Sequence, residues 1–157
     1  MRFFFITILL IFSTNINAQK IKEIVSHTAI SVGYDYQGRN SLTAGLEYNL
    51  PIDSNNWHGY NFGLAVRYFK GKDGHQYFVP EVKLTYRKSG FIFGFQSSTK
   101  NFSPIMGVNF MNALHLYSGY SFPFDKTNTN LKGMVFGVRI FISPFGEKFY
   151  DKLKIGF

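Results

Sequence analysis

Residues 27–50 read HTAISVGYDYQGRNSLTAGLEYNL, and their alternation decides the fold. Thr28, Ile30, Val32, Tyr34 and Tyr36 alternate with Ala29, Ser31, Gly33 and Asp35. After the turn chemistry of Gln37-Gly38-Arg39-Asn40, Leu42, Ala44, Leu46, Tyr48 and Leu50 alternate with Ser41, Thr43, Gly45, Glu47 and Asn49. A period of two, broken by Gly and Asn, is the signature of a β-hairpin. One face of each strand is bulky and apolar; the other is small or charged and carries a glycine at its middle.

Working outward, the same pattern recurs to residue 142. It predicts strands near 27–37, 41–50, 60–70, 78–87, 91–98, 104–111, 113–124 and 131–142. Phe62, Leu64, Val66 and Tyr68 oppose Asn61, Gly63, Ala65 and Arg67; Val82, Leu84 and Tyr86 oppose Glu81, Lys83, Thr85 and Arg87. Phe91, Phe93 and Phe95 oppose Gly94, Gln96 and Ser98, and Met134, Phe136, Val138, Ile140 and Ile142 oppose Gly133, Gly137 and Arg139. Turn residues at 51–56, 71–74, 88–90 and 125–130 separate the runs, and Pro51, Pro80, Pro104 and Pro123 are assigned to strand ends, where a missing donor costs least. The break between the sixth and seventh strands has only Asn112 to mark it. A three-residue loop over 111–113 keeps Phe110 and Leu114 on one face.

Seven of the eight strands carry a mid-strand glycine on the face opposite the bulky row: Gly33, Gly45, Gly63, Gly94, Gly107, Gly119 and Gly137. Alternation alone leaves the sign of the faces open, because a soluble barrel carrying an apolar ligand has the same period with its apolar face inward. The smaller face decides. A solvated exterior is dense in Lys, Glu, Gln and Thr, whereas glycine there weakens a strand without packing gain. Inside an eight-stranded barrel there is room for little more than interdigitated side chains, so glycines beside long charged residues make steric sense. The expected fold is therefore all-β: an eight-stranded antiparallel up-and-down transmembrane barrel with its bulky side chains in lipid.

That orientation encloses Asp35, Glu47 and Glu81 with Arg67, Lys83, Arg87 and Arg139, in the company of His115, Tyr117, Gln96 and Asn109. Three acids face four bases, close to the balance that a water-poor interior requires. Arg67, on the strand between Glu47 and Glu81, is expected to bridge at least one of them. This polar network is read as structural, filling the lumen rather than lining a selective pore. Aromatic residues reinforce the membrane reading. Tyr34, Tyr36, Tyr68, Phe78, Phe102, Tyr120, Phe122 and Phe124 gather toward one rim, and Tyr48, Phe62, Tyr86, Phe91 and Phe110 toward the other, as two interfacial girdles require.

At the amino terminus, Arg2 precedes an apolar run from Phe3 to Phe12 and then the polar stretch Ser13-Thr14-Asn15-Ile16-Asn17-Ala18. Too short to span a bilayer as a helix, this run reads as an export signal over 1–18, with Ala18 a cleavage position. The barrel is assigned to 19–142, and 143–157 to a tail or a closing strand. The chain has no cysteine, so it forms no disulfide and has no lipid-modifiable cysteine. Its formal net charge is +8, one less without Arg2.

These residues resemble the small eight-stranded outer-membrane barrels of the OmpA and OmpX type, over about 27–142 and by pattern rather than by a diagnostic motif. The resemblance implies an outer-membrane location in a two-membrane bacterium, and insertion by dedicated machinery that reads a terminal aromatic with alternating apolar residues. Phe157, Ile155 and Leu153 have that spacing, although Asp151 interrupts the series and a strand over 149–157 would make nine. The alternative for the tail is an appendage, with Phe145, Phe149 and Leu153 on one side of a short helix.

With both termini on the inner side, Arg39, Lys70, Lys72, Lys100, Lys126 and Lys132 face outward in the loops, where they suit the phosphates of lipopolysaccharide. Nucleic-acid binding is not expected, because the bases are dispersed and no known module appears. Neither cofactor nor metal is implied: His27, His58, His75 and His115 share no ligand spacing. No catalytic residues are assigned, since His115 precedes Tyr117 by two positions while Ser118 points to the other face. The expectation is a monomeric, non-enzymatic envelope protein with a structural or surface-contact role. A soluble periplasmic carrier is the first alternative and a lipid A-modifying enzyme the second.

Overall fold

The computed structural model describes residues 18–54, 57–124, 131–144 and 148–151. The proposed signal peptide, apart from Ala18, lies outside these residues, as do Lys126, Leu153, Ile155 and Phe157. Among the described residues a helix, α1 (Ala18–Ser26), comes first and is followed by eight strands: β1 (Thr28–Gln37), β2 (Asn40–Pro51), β3 (His58–Lys70), β4 (Gln76–Lys88), β5 (Phe91–Ser98), β6 (Asn101–Phe110), β7 (Leu114–Pro123) and β8 (Gly133–Ile142). Each strand pairs antiparallel with the next, and β8 returns to β1, with Val32 opposite Ile140 and Tyr36 opposite Phe136. The barrel is closed. No sheet edge is left to be covered.

Burial alternates along β1–β4 and, less regularly, along β5–β8, with most bulky apolar side chains outward and the glycine-bearing face enclosed. Leu46 is 56% and Leu64 55% exposed, whereas the Arg67 and Arg87 side chains are fully enclosed. Steric demand explains the glycines. A Cβ at Gly107 would strike the backbone of β7 at Leu116 and Tyr117, and one at Gly94 would strike that of β4 at Leu84 and Thr85.

The 111–113 connection is formed as three residues, with Met111 and Asn112 both in the left-handed region at φ 54° and 53° and Phe110 opposite Leu114. Two prolines sit inside strands rather than at their ends. Pro80 lies in β4 opposite Val66, one residue beyond the first β4–β5 pair, Glu81 with Ser98, so no ladder bond to β5 is lost. Pro104 lies in β6 where the β6–β7 pairing lapses between Phe102–Phe122 and Ile105–Gly119. Helix α1 falls where the sequence suggested only the start of the mature chain.

The interior is also less uniformly polar than its small-residue face suggested. Ile92, Ile105, Tyr117 and Val135 form one enclosed apolar cluster. Phe69, Val79 and Leu131, with Tyr77, form a second near the β3–β4 turn, and Ala29, Phe141 and Phe149 form a third at the end where the chain enters and leaves.

Candidate functional site: a charged lumen and the segment that stoppers it

Strand parity carries the charged residues inward, and register decides which of them meet. At mid-barrel, Arg139 of β8 is the hub. Its Nη1 donates to Glu47 Oε1 at 3.2 Å, its Nη2 to Glu81 Oε1 at 3.0 Å and to Thr43 Oγ1 at 3.2 Å, and Asp35 Oδ2 lies 3.7 Å from the same Nη2. Arg67 donates to Glu81 and lies 3.6 Å from Asp35. Glu47, the other expected partner of Arg67, is taken by Arg139 and by Lys83, whose Nζ stands 3.4 Å from Glu47 Oε1.

Tyr117 completes the constellation by donating its hydroxyl proton to Asp35. Its ring reaches Asp35 by crossing Gly137, which pairs with Asp35 on one side and with Tyr117 on the other. Any Cβ at 137 would overlap both the ring and the carboxylate. Lys83 Nζ lies 5.2 Å from the centroid of the Tyr117 ring and 5.5 Å from that of Phe141, so its charge is bracketed by a carboxylate and two π faces.

Arg87 stands apart from this cluster, near the end that bears the chain termini. Its counterion is Asp151, from the tail: Nη1 to Oδ1 at 2.5 Å. Asn61 and Asn49 accept from Nε and Nη2 at 3.0 and 2.6 Å. A collar of asparagines grips residues 148–151. Asn49 Nδ2 donates to the Phe149 carbonyl at 3.0 Å, Asn112 Nδ2 to the same oxygen at 2.7 Å, and Asn109 Nδ2 to Asp151 Oδ2 at 2.8 Å. Asn112 Oδ1 in turn accepts from Asn61 at 2.8 Å and lies 3.2 Å from His115 Nε2. With Phe149 fully buried against Phe141, this segment is a stopper seated in the barrel mouth.

Asp151, which interrupts the apolar alternation of the tail, lies in no strand, and among the described residues it supplies the fourth enclosed acid against four bases. Burial pushes its carboxyl above the ordinary value, opposed by Arg87 and Asn109. No local motif signals this role, because Asp151 and Arg87 are 64 residues apart.

At the opposite mouth, Asn101 Nδ2 lies 2.9 Å from Gln37 Oε1, Ser103 Oγ and Ser121 Oγ. Outside it lie four of the six bases proposed for lipopolysaccharide contact that the sequence put at loop tips or strand ends: Arg39, Lys70, Lys72 and Lys100. Lys132 directly precedes β8 at the same end, its carbonyl packed against Gly38. Arg39 Nη1 donates to the Lys70 carbonyl at 3.1 Å, and the two flank a shallow depression of about 360 Å³ with Tyr36, Gly38 and Asn40. The 71–75 turn is fixed by Asp73, which accepts from the Tyr77 hydroxyl at 2.6 Å and from the His75 amide at 3.0 Å. These bonds, that from Tyr77 foremost, hold the Asp73 carboxyl below its ordinary value.

One serine, histidine and aspartate do come together at the terminus-bearing end. His58 Nε2 is 3.3 Å from Ser89 Oγ, and His58 Nδ1 is 3.4 Å from Asp53 Oδ2. The His58 and Asp53 side chains are each about a third exposed, and Asp53 Oδ1 accepts from the Trp57 amide at 2.9 Å. The trio ties the 52–57 connection to the Ser89–Gly90 turn. No protein-family description, curated protein or solved structure matches the chain.

Proposed function

We propose that this protein is an integral outer-membrane β-barrel of the OmpA and OmpX type, delivered by its amino-terminal signal, with a structural or surface-contact role in the envelope. The observation that carries the reading is the inversion of the barrel: aliphatic and aromatic side chains dominate the outside of the strands while, among the described residues, four bases and four acids are enclosed. Water makes that distribution costly and hydrocarbon makes it favourable. Seven of the eight strands have 10–13 residues, long enough to cross a bilayer core when tilted, and β5 has 8. An apolar-ligand carrier needs an apolar cavity, whereas here ion pairs cross the middle of the lumen.

In this reading the lumen holds the barrel shut, and the loop face does the contacting. The bases around Arg39, Lys70, Lys72, Lys100 and Lys132 pair with phosphates of lipopolysaccharide. Washing envelope membranes with carbonate or urea tests the assignment. The protein stays in the pellet if it is an integral barrel, and its release would favour the carrier. Labelling a cysteine placed at Lys72 in intact cells with a membrane-impermeant maleimide tests the sidedness. Mass analysis of lipid A with and without the protein tests the enzymatic alternative, which the loss or gain of an acyl chain would revive.

A further inference from the structure

Helix α1 presents an apolar face that the barrel does not cover. Ile21, Ile24 and Val25 are 48%, 52% and 37% exposed, and their spacing of three and four residues puts them on one side of the helix. By the same geometry Lys20 and Lys22 flank that stripe on either side, and Glu23 lies opposite it. The helix is firmly joined to the barrel. Thr28 Oγ1 donates to the Ile24 carbonyl at 2.8 Å, the His27 amide to the same carbonyl at 3.1 Å, and the Asn49 amide to the His27 carbonyl at 2.8 Å.

From that joint the chain runs directly into β1, whose outward residues Ile30 and Val32 belong to the apolar belt. The same end of the barrel exposes Trp57, Tyr60, Phe91 and Phe110, side chains suited to the headgroup level. An amphipathic helix anchored at that level, with lysines able to extend their stems alongside its apolar face, matches an interfacial lipid-bound helix.

Resting on the membrane reading above, we infer that α1 lies in the lipid interface at the terminus-bearing rim, its Ile21–Ile24–Val25 stripe inserted among phospholipid headgroups and upper acyl chains. The occupant of this face is the bilayer itself. Lys20 and Lys22 meet lipid phosphates, and Glu23 points to water.

The absence of native cysteine makes single-site labelling clean. The full chain carrying Ile24→Cys, Glu23→Cys or Leu46→Cys is labelled with an environment-sensitive fluorophore and reconstituted into phosphatidylethanolamine–phosphatidylglycerol vesicles. Iodide quenches from water, and a nitroxide lipid labelled high on its acyl chain quenches from the interface. The label at 24 is expected to be quenched by the nitroxide and severalfold less by iodide than the label at 23. If positions 24 and 23 are equally open to iodide while 46 is quenched by lipid, the helix inference fails and the membrane barrel stands. Shielding of position 24 from both quenchers, with disulfide-linked dimers of the unlabelled Ile24→Cys chain, would assign the face to a second copy and overturn the inference. If position 46 also escapes the lipid quencher, the membrane reading fails and this inference falls with it.

Discussion

The two halves of the lumen wall are built differently. Strands β1–β4 contribute Asp35, Glu47, Arg67, Glu81, Lys83 and Arg87, six of the enclosed charges, while β5–β8 contribute Arg139, the apolar or aromatic Ile92, Ile105, Tyr117, Val135 and Phe141, and the polar Gln96, Asn101, Ser103, Asn109, His115 and Ser121. Ion pairs are concentrated in the amino-terminal half, packing and hydrogen bonds between polar side chains in the carboxy-terminal half, and Arg139 is the charge that reaches from the second into the first. The lesson concerns what each half tolerates. Packing yields gradually when atoms are removed, whereas a buried ion deprived of its partner does not.

The largest effect should therefore come at the junction. Arg139→Met leaves Glu47 and Glu81 without their shared donor and removes one of the two cations beside Asp35, a loss of about 3–5 kcal/mol by analogy with other broken buried pairs. Heat or urea unfolding in detergent measures it. Arg67→Met should cost less, since Arg139 still serves Glu81. Equal or inverted losses would break the distinction between hub and spoke, and an unchanged midpoint for Arg67→Met would remove its bridge from the account.

Next in size is Gly137→Ala, where the added methyl displaces Tyr117 from Asp35, at about 1–3 kcal/mol for overpacking. Loss of the near-ultraviolet circular dichroism of buried tyrosine would report the displaced ring. In the packed half, Ile92→Val removes one methyl group and should cost only about 1 kcal/mol in the same unfolding assay. A loss matching that of Arg139→Met would show that the contrast between the halves is false.

The smallest effect lies outside both halves, at His27, whose imidazole is held below its ordinary value by burial first and then by Lys148. The folded chain thus binds fewer protons there than the unfolded one. Its stabilising contribution is present above the ordinary histidine value of about 6.5 and is lost as the pH falls from there through the lower value of the folded chain. Hydrogen exchange at the Asn49 amide, which bonds to the His27 carbonyl, should quicken between pH 7 and pH 5 beyond the intrinsic trend, and His27→Gln should abolish the change.

The same contrast governs what could be read in advance. In β1–β4 small and charged residues alternate cleanly with bulky ones, so strand number, faces and hairpins were legible there, as was the Met111–Asn112–Ala113 connection and the closure of an eight-stranded antiparallel barrel. In β5 and β8 the runs Phe91–Phe95 and Met134–Ile142 hold apolar residues on both faces, which hides Ile92, Val135 and Phe141 among their outward neighbours. Parity could assign a charge to the inside, but not its partner. That depends on stagger, which sets Arg139 rather than Arg67 across from Glu47. Helix α1 was obscured by its place beside an export signal, and the seating of Asp151 by its distance along the chain.

The enclosed charges also arrive in a telling order. Strands β1–β4 alone hold three carboxylates and three cations, so the first half of the wall is electrically self-sufficient. The later half adds one cation at Arg139, and the stopper that follows adds one anion at Asp151. Among the described residues, the charges enclosed by β1–β4 balance by themselves, and they balance again once the Asp151 carboxylate cancels the single charge brought by the closing strand.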